Sequence, residues 1–151
     1  MRNASLIVVA TLCGTVGIVR VDASDALKAI VASYLEIHAQ LAEDKADAIE
    51  GPARAIAGQA GGLGKAGEPI AKAATALAEA ADLKAAREAF GTLSDAVVAA
   101  GNAEGWKDVG PVKLAYCPMA QRSWLQKDEQ GIRNPYYGSQ MLTCGEFKPL
   151  R

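Results

Sequence analysis

The sequence predicts a mainly α-helical fold: an up-down antiparallel bundle of three or four helices, followed by an irregular, partly β appendage at the C-terminus. Aromatic residues make up only 5% of the 151 residues, and a core built from Ala, Leu, Ile and Val suits closely packed helices. Apolar residues recur every three or four positions through the first hundred residues, whereas Gly and Pro interrupt this pattern beyond Gly101. The length allows a single domain at residues 24–151, with the appendage at 106–151.

The first 23 residues have the pattern of a secretory signal peptide. Met1-Arg2-Asn3 is a short, positively charged start, and the apolar run at residues 4–19 is too short and too interrupted for a membrane span. Val21-Asp22-Ala23 places small or apolar residues where a signal peptidase cuts. We expect cleavage after Ala23 and export to the periplasm, with an uncleaved anchor as the alternative. Contact with the membrane is expected only through this segment.

The first two helices are predicted from their apolar spacing. Ser24 or Asp25 is expected to cap the first helix, because either side chain can accept a hydrogen bond from its first turn. The second helix covers residues 47–57, and Gly51-Pro52 predicts a kink or a new first turn within it. The stripe that defines the buried face of the first helix consists of Leu27, Val31, Tyr34, His38 and Leu41.

The third and fourth helices follow a glycine-rich segment. Residues 58–67 contain five glycines, which predicts a flexible connection. Pro69 is suited to the first position of the third helix, and Asp82 is expected to cap the fourth. Short connections between the helices favour the up-down arrangement.

The appendage is predicted to contain a small amount of β-structure. Residues 112–116 alternate as a short strand does, and residues 124–126 are its expected partner. Pro118 removes a backbone donor, so the first strand is expected to end there. Asn134-Pro135 and Tyr137-Gly138 predict turns.

The appendage also concentrates sulfur. Cleavage of the signal peptide would remove Cys13 and leave Cys117 and Cys144, near Met119 and Met141. Thiolate and thioether groups are soft ligands that select Cu(I). A spacing of two puts Cys117 and Met119 on one face of a strand, and a spacing of three puts Met141 and Cys144 together on a helical turn. The two pairs would form a four-sulfur site, and Cu(I) also accepts three ligands or two near-linear ones.

A disulfide is the competing interpretation of the same cysteines. An even number of cysteines in an exported chain predicts a bridge, here between Cys117 and Cys144, with Met119 and Met141 as apolar packing. The two states can coexist, because reduced and oxidised forms would differ in metal affinity. Zinc is disfavoured, since thioether is a poor zinc ligand and the chain has one His.

His38 and the overall charge limit the remaining functions. His38 lies on an apolar stripe, where it is either a core residue or a further ligand that completes the sulfur site. A net charge of −1 without a basic stripe argues against nucleic acid as a partner. The sequence has no nucleophile elbow, phosphate-binding loop or paired-His motif, so an enzyme is not expected.

The C-terminal residues resemble a known family. The pattern consists of Tyr116-Cys117-Pro118-Met119-Ala120, Trp124-Leu125, Asn134-Pro135-Tyr136-Tyr137-Gly138 and Met141-Leu142-x-Cys144-Gly145. It is similar to the small periplasmic domain of unknown function that occurs alone or at the C-terminus of copper/silver-efflux periplasmic adaptor (membrane-fusion) proteins.

The resemblance implies a helical bundle in the bacterial envelope that takes part in heavy-metal efflux or resistance. It also implies Cys117, Met119, Met141 and Cys144 as candidate Cu(I) or Ag(I) ligands and an efflux adaptor, or another envelope protein, as partner. The alternative function is a disulfide-stapled periplasmic interaction module that binds no metal. Oligomeric state is not predicted.

Overall fold

A computed structural model describes residues 22–128 and 131–151 of the chain. These residues are mainly helical, with a small antiparallel sheet near the C-terminus, as the sequence predicts. Their elements are α1 (Ala23–Ala42), α2 (Glu50–Gln59), a 3₁₀ segment (Ala60–Ala66), α3 (Gly67–Ala78), α4 (Leu83–Glu104), β1 (Val112–Cys117), β2 (Arg122–Lys127), a 3₁₀ turn (Gly138–Gln140) and β3 (Glu146–Lys148).

Helix α1 begins two or three residues earlier than the capping prediction placed it. Asp22, and not Ser24 or Asp25, is the N-cap, and its carboxylate accepts a hydrogen bond from the backbone N–H of Ser24 at 2.9 Å. The predicted stripe of α1, from Leu27 to Leu41, is buried as expected. The predicted cleavage point after Ala23 therefore falls just inside α1.

The rest of the predicted signal peptide, residues 1–21, lies outside the described residues. Within the part of the chain that the structure describes, no helix combines the length and apolar character needed to cross a membrane.

The prediction of a flexible connection at residues 58–67 is wrong. Helix α2 continues directly into the 3₁₀ segment Ala60–Ala66, which leads into α3. Gly64 kinks the segment with φ 55 and ψ −131, a conformation open to glycine. Gly67 packs so closely on Ala60 that a Cβ there would overlap the Ala60 carbonyl. The glycines permit a tight, ordered turn instead of flexibility.

Helices α2 and α3 do not begin where they were predicted: α2 begins at Glu50 instead of residue 47, and α3 begins at Gly67, two residues before Pro69. Helix α2 begins at Glu50, so Pro52 lies in its first turn, where no N–H is required. Asp82 caps α4 by accepting a hydrogen bond from the N–H of Ala85 at 2.8 Å.

The sheet lies against the helices through aromatic side chains. Tyr34 of α1 and Phe90 of α4 stack with their ring centroids 4.8 Å apart. Tyr136 lies 6.1 Å from Phe90 and 5.9 Å from Trp124 of β2, edge-on to the indole ring. The hydroxyl of Tyr34 also accepts a hydrogen bond from the backbone N–H of Leu125 at 3.2 Å. These contacts fix the sheet on helices α1 and α4.

The sheet has the order β2-β1-β3 and is antiparallel throughout. The predicted pairing of residues 112–116 with 124–126 is confirmed, since Ala115 pairs with Trp124 and Leu114 with Leu125. Strand β1 ends at Cys117, just before Pro118, as expected. Strand β3 was not predicted; it pairs with the other edge of β1 and brings the preceding turn, with Cys144, to the end of β1.

Candidate functional site

The structure brings the two predicted cysteine ligands together. Cys117 is the last residue of β1 and is fully buried, whereas Cys144 is partly exposed in the turn before β3. Their Sγ atoms lie 3.0 Å apart, and both are free thiols in the structure. The pair is 27 positions apart in sequence, so its formation depends on the pairing of β3 with β1.

The hairpin turn after Cys117 surrounds its sulfur with hydrogen-bond donors. The backbone N–H of Ala120 points at Sγ of Cys117 at 3.4 Å. Burial raises the pKa of Cys117, but hydrogen bonds from the Cys144 thiol and from the N–H groups of Ala120 and Met119 outweigh burial and leave the pKa below its usual value. The hydrogen bond to Cys117 and burial raise the pKa of Cys144. Cys117 is therefore the thiol that ionises first, and the thiolate is the form that binds metal.

Asn134 holds the loop that carries Cys144. Its side-chain amide donates to the carbonyl of Cys144 at 2.8 Å, and its Oδ1 accepts from the N–H groups of Tyr136 and Tyr137 at 2.8 and 3.2 Å. Its backbone N–H donates to Leu142 at 2.7 Å. The turn predicted at Asn134-Pro135 is present, but no sequence pattern indicated that the Asn134 side chain also positions Cys144.

An ion pair between α4 and the turn that follows α1 also holds this loop. Arg87 of α4 donates to Asp44 Oδ1 at 2.5 Å and to the carbonyl of Pro135 at 2.9 Å. Asp44 also accepts from the N–H of Ser139 at 3.0 Å. The hydrogen bonds from Ser139 and Arg87 lower the pKa of Asp44 to about 2. In the sequence both residues resemble ordinary surface charges, and no pattern singles them out.

The two methionines lie at the periphery of the cysteine pair. Cys117 and Met119 do not share a face as expected: the strand ends at Cys117, and the chain then turns, leaving Met119 64% exposed. Met141 is partly buried, and its carbonyl accepts from the N–H of Cys144 at 3.0 Å. This bond closes a reverse turn, since the 3₁₀ turn ends at Gln140 and the predicted helical turn at 141–144 is absent from the described structure.

His38 does not belong to the cysteine site. Among residues 22–128 and 131–151, no three His, Cys, Asp or Glu side chains come together in a metal-binding group. His38 is 3% exposed, and its Nε2 lies 2.8 Å from the carbonyl of Arg133. Burial lowers the pKa of His38 to about 4, despite this hydrogen bond. The imidazole is therefore neutral at pH 7, as expected for a core histidine.

Comparisons with protein-family models, with curated proteins and with solved structures found no match for this chain. The resemblance to the periplasmic domain of the copper-efflux adaptors accordingly stays a prediction from the sequence.

Proposed function

We propose that the protein binds Cu(I), and Ag(I) opportunistically, through the thiolates of Cys117 and Cys144. The observation that carries this proposal is the Sγ–Sγ separation of 3.0 Å. It is supported by the N–H groups that favour the thiolate of Cys117. Two thiolate ligands are enough to bind Cu(I) in near-linear coordination, whereas hard cations require oxygen ligands.

Metal entry requires a small movement of Cys144. A metal–thiolate bond is about 2.3 Å long, so two sulfurs 3.0 Å apart must separate to hold an ion between them in near-linear geometry. Cys117 is buried within the sheet, whereas Cys144 is partly exposed in a turn. Cys144 therefore moves, and the ion enters from its side.

The methionines act as peripheral ligands. Met119 extends into solvent two residues from Cys117, where its thioether receives the ion first and exchanges it to the thiolates. Met141 lies next to Cys144 in the same turn and serves as a further weak ligand. The mechanism is ligand exchange without catalysis, and His38 has no part in it.

The proposed cellular setting rests on the sequence alone. The predicted signal peptide over residues 1–23 and the family resemblance support a periplasmic protein of metal efflux or resistance, with an efflux adaptor as partner. An up-down antiparallel bundle suits this role as a rigid scaffold. The bundle arrangement is supported by the helix packing, since each helix packs on the next one in the chain and α1 also packs on α4.

A second candidate function is favoured by the same short distance. In an oxidising compartment, thiols 3.0 Å apart are suited to form a disulfide. The bridge would close a long loop and stabilise the appendage by about 2–4 kcal/mol. The protein would then be a disulfide-stapled interaction module that docks on an envelope protein and binds no metal.

Cu(I) titration of the reduced protein against a chromogenic chelator, with thiols counted before and after, separates the two functions. Metal binding requires one ion per chain that is lost in Cys117→Ser and in Cys144→Ser. Met119→Leu keeps the side-chain volume and should weaken binding modestly. Met141→Leu makes the same change at the partly buried methionine and serves as the matched comparison.

Two outcomes contradict metal binding. The first is a reduced protein with two free thiols that does not compete with the chelator for Cu(I). The second is a natively purified protein whose cysteines are bridged in every molecule and resist reduction under conditions that leave the fold intact. Either result would leave the interaction module as the function.

A further inference from the structure

A groove lies along α1, and neither Cys117 nor Cys144 lines it. Its volume is about 650 Å³, within the range of small-molecule sites. One wall comes from the beginning of α2 and the residues before it, and the other includes Val109 and the end of β2. The lining of this groove, which we call the α1 groove, includes Lys28, Leu35, Glu36, His38, Pro52 and Lys127.

His38 lines the α1 groove with a largely buried imidazole ring that includes a hydrogen-bond acceptor. Nε2 of His38 contacts a backbone carbonyl, that of Arg133, at 2.8 Å. A carbonyl only accepts hydrogen bonds, so Nε2 carries the proton and Nδ1 of the neutral ring has a lone pair. The only hydrogen bond that the described residues make with this imidazole is the one through Nε2. Nδ1 is thus available to a ligand with a hydroxyl group or another donor.

The rim of the α1 groove carries a positive charge. Lys28 and Lys127 are exposed and line the groove, and Glu36 is its only acidic lining residue. Neither lysine forms an ion pair with any residue that the structure describes. The walls between rim and His38 include Leu35, Pro52 and several alanines, which suit an apolar body.

We propose that the α1 groove binds a small organic carboxylate with an apolar body and a hydroxyl group. The hydroxyl donates to Nδ1 of His38, the apolar body packs on Leu35 and Pro52, and the carboxylate pairs with Lys28 or Lys127. This site goes beyond the proposed metal binding and does not depend on it, because His38 is not grouped with the cysteines.

The test uses 4-hydroxyphenylacetate as the probe and the ring nitrogens of His38 as the signal. His38 is the one histidine in the chain, so its long-range ¹H–¹⁵N correlations need no assignment. At saturating probe, the Nδ1 resonance should move upfield as Nδ1 accepts a hydrogen bond, while Nε2 stays protonated. The matched probe 4-methoxyphenylacetate has no donor and should bind more weakly without this shift.

Charge-reversal variants test the carboxylate contact without touching the core. Combined Lys28→Glu and Lys127→Glu should weaken binding of 4-hydroxyphenylacetate at least about fivefold by calorimetry, as two exposed charges are reversed. Lys72→Glu, on the exposed face of α3, is the control and should bind as the original protein does. Cys117→Ser combined with Cys144→Ser should also leave probe binding unchanged, whatever becomes of Cu(I).

The proposal is overturned if the Nδ1 resonance does not move at saturating probe, or if the methoxy compound binds equally well. It is also overturned if the double lysine variant and Lys72→Glu bind the probe with the same affinity.

Discussion

Acidification should destabilise this protein through one buried histidine. The pKa of His38 is about 4 in the folded protein because of burial, against 6.5 for an ordinary histidine. The unfolded chain therefore takes up the proton first, and the stability from a neutral His38 is complete above pH 6.5. It is lost as pH falls from about 6.5 to about 4, and this group causes no further loss below that.

The magnitude follows from the two pKa values. Between about pH 7.5 and about pH 4.5, protonation of His38 in the unfolded chain should lower the free energy of unfolding by about 2.5 kcal/mol. Asp44, whose pKa is lowered from 3.8 to about 2 by Ser139 and Arg87, loses its contribution only at lower pH. The two effects are therefore separated along the pH axis.

Urea unfolding of the reduced protein at both pH values measures this effect, with His38→Gln as the control. Glutamine can still donate to the carbonyl of Arg133 but does not titrate. The free energy of unfolding should fall by about 2.5 kcal/mol more in the original protein than in the variant. An equal fall in both proteins, or a pKa near 6.5 for His38 by NMR, would refute the reasoning.

Two further predictions concern tight packing. Gly67→Ala should lower the free energy of unfolding by about 1–3 kcal/mol, because the new Cβ overlaps the Ala60 carbonyl. Gly58→Ala, in α2 with open space around it, should instead raise the free energy of unfolding by about 0.5–1 kcal/mol. Equal urea midpoints for the two variants would contradict the ordered turn. Tyr34→Phe should cost about 1–3 kcal/mol by the same assay, since it leaves a buried N–H of β2 without its acceptor; an unchanged midpoint would show that this bond is replaced.

Local signals account for most of the helical part that could be predicted. The stripe of α1 and the cap at Asp82 are properties of neighbouring residues, and both are present as expected. The prediction of a flexible connection at residues 58–67 failed because a glycine-rich composition shows which backbone conformations are allowed, but not whether packing selects one of them. The close approach of Gly67 to Ala60 depends on how α2 and α3 pack.

The candidate site was predictable only in part. The sulfur residues could be named from the sequence, but the meeting of Cys117 with Cys144 depends on β3, a strand of three residues with weak local signal. The exposure of Met119 follows from the end of β1, and the separation of His38 from the cysteines follows from tertiary packing. Residue types predict chemistry, whereas long-range pairing decides which groups act together.

The hydrogen bonds of Asn134 have a thermodynamic consequence for any ligand of the cysteine pair. Because Asn134 orders the Cys144 loop in the folded chain, the pair exists as a unit only when the protein is folded. A ligand that needs both sulfurs then binds the folded state in preference to the unfolded one, and it raises the unfolding temperature by an amount that grows with the logarithm of its affinity. Thermal unfolding of the reduced protein, with and without Cu(I), thus reports occupancy of the pair, and folding and ligation form one thermodynamic cycle.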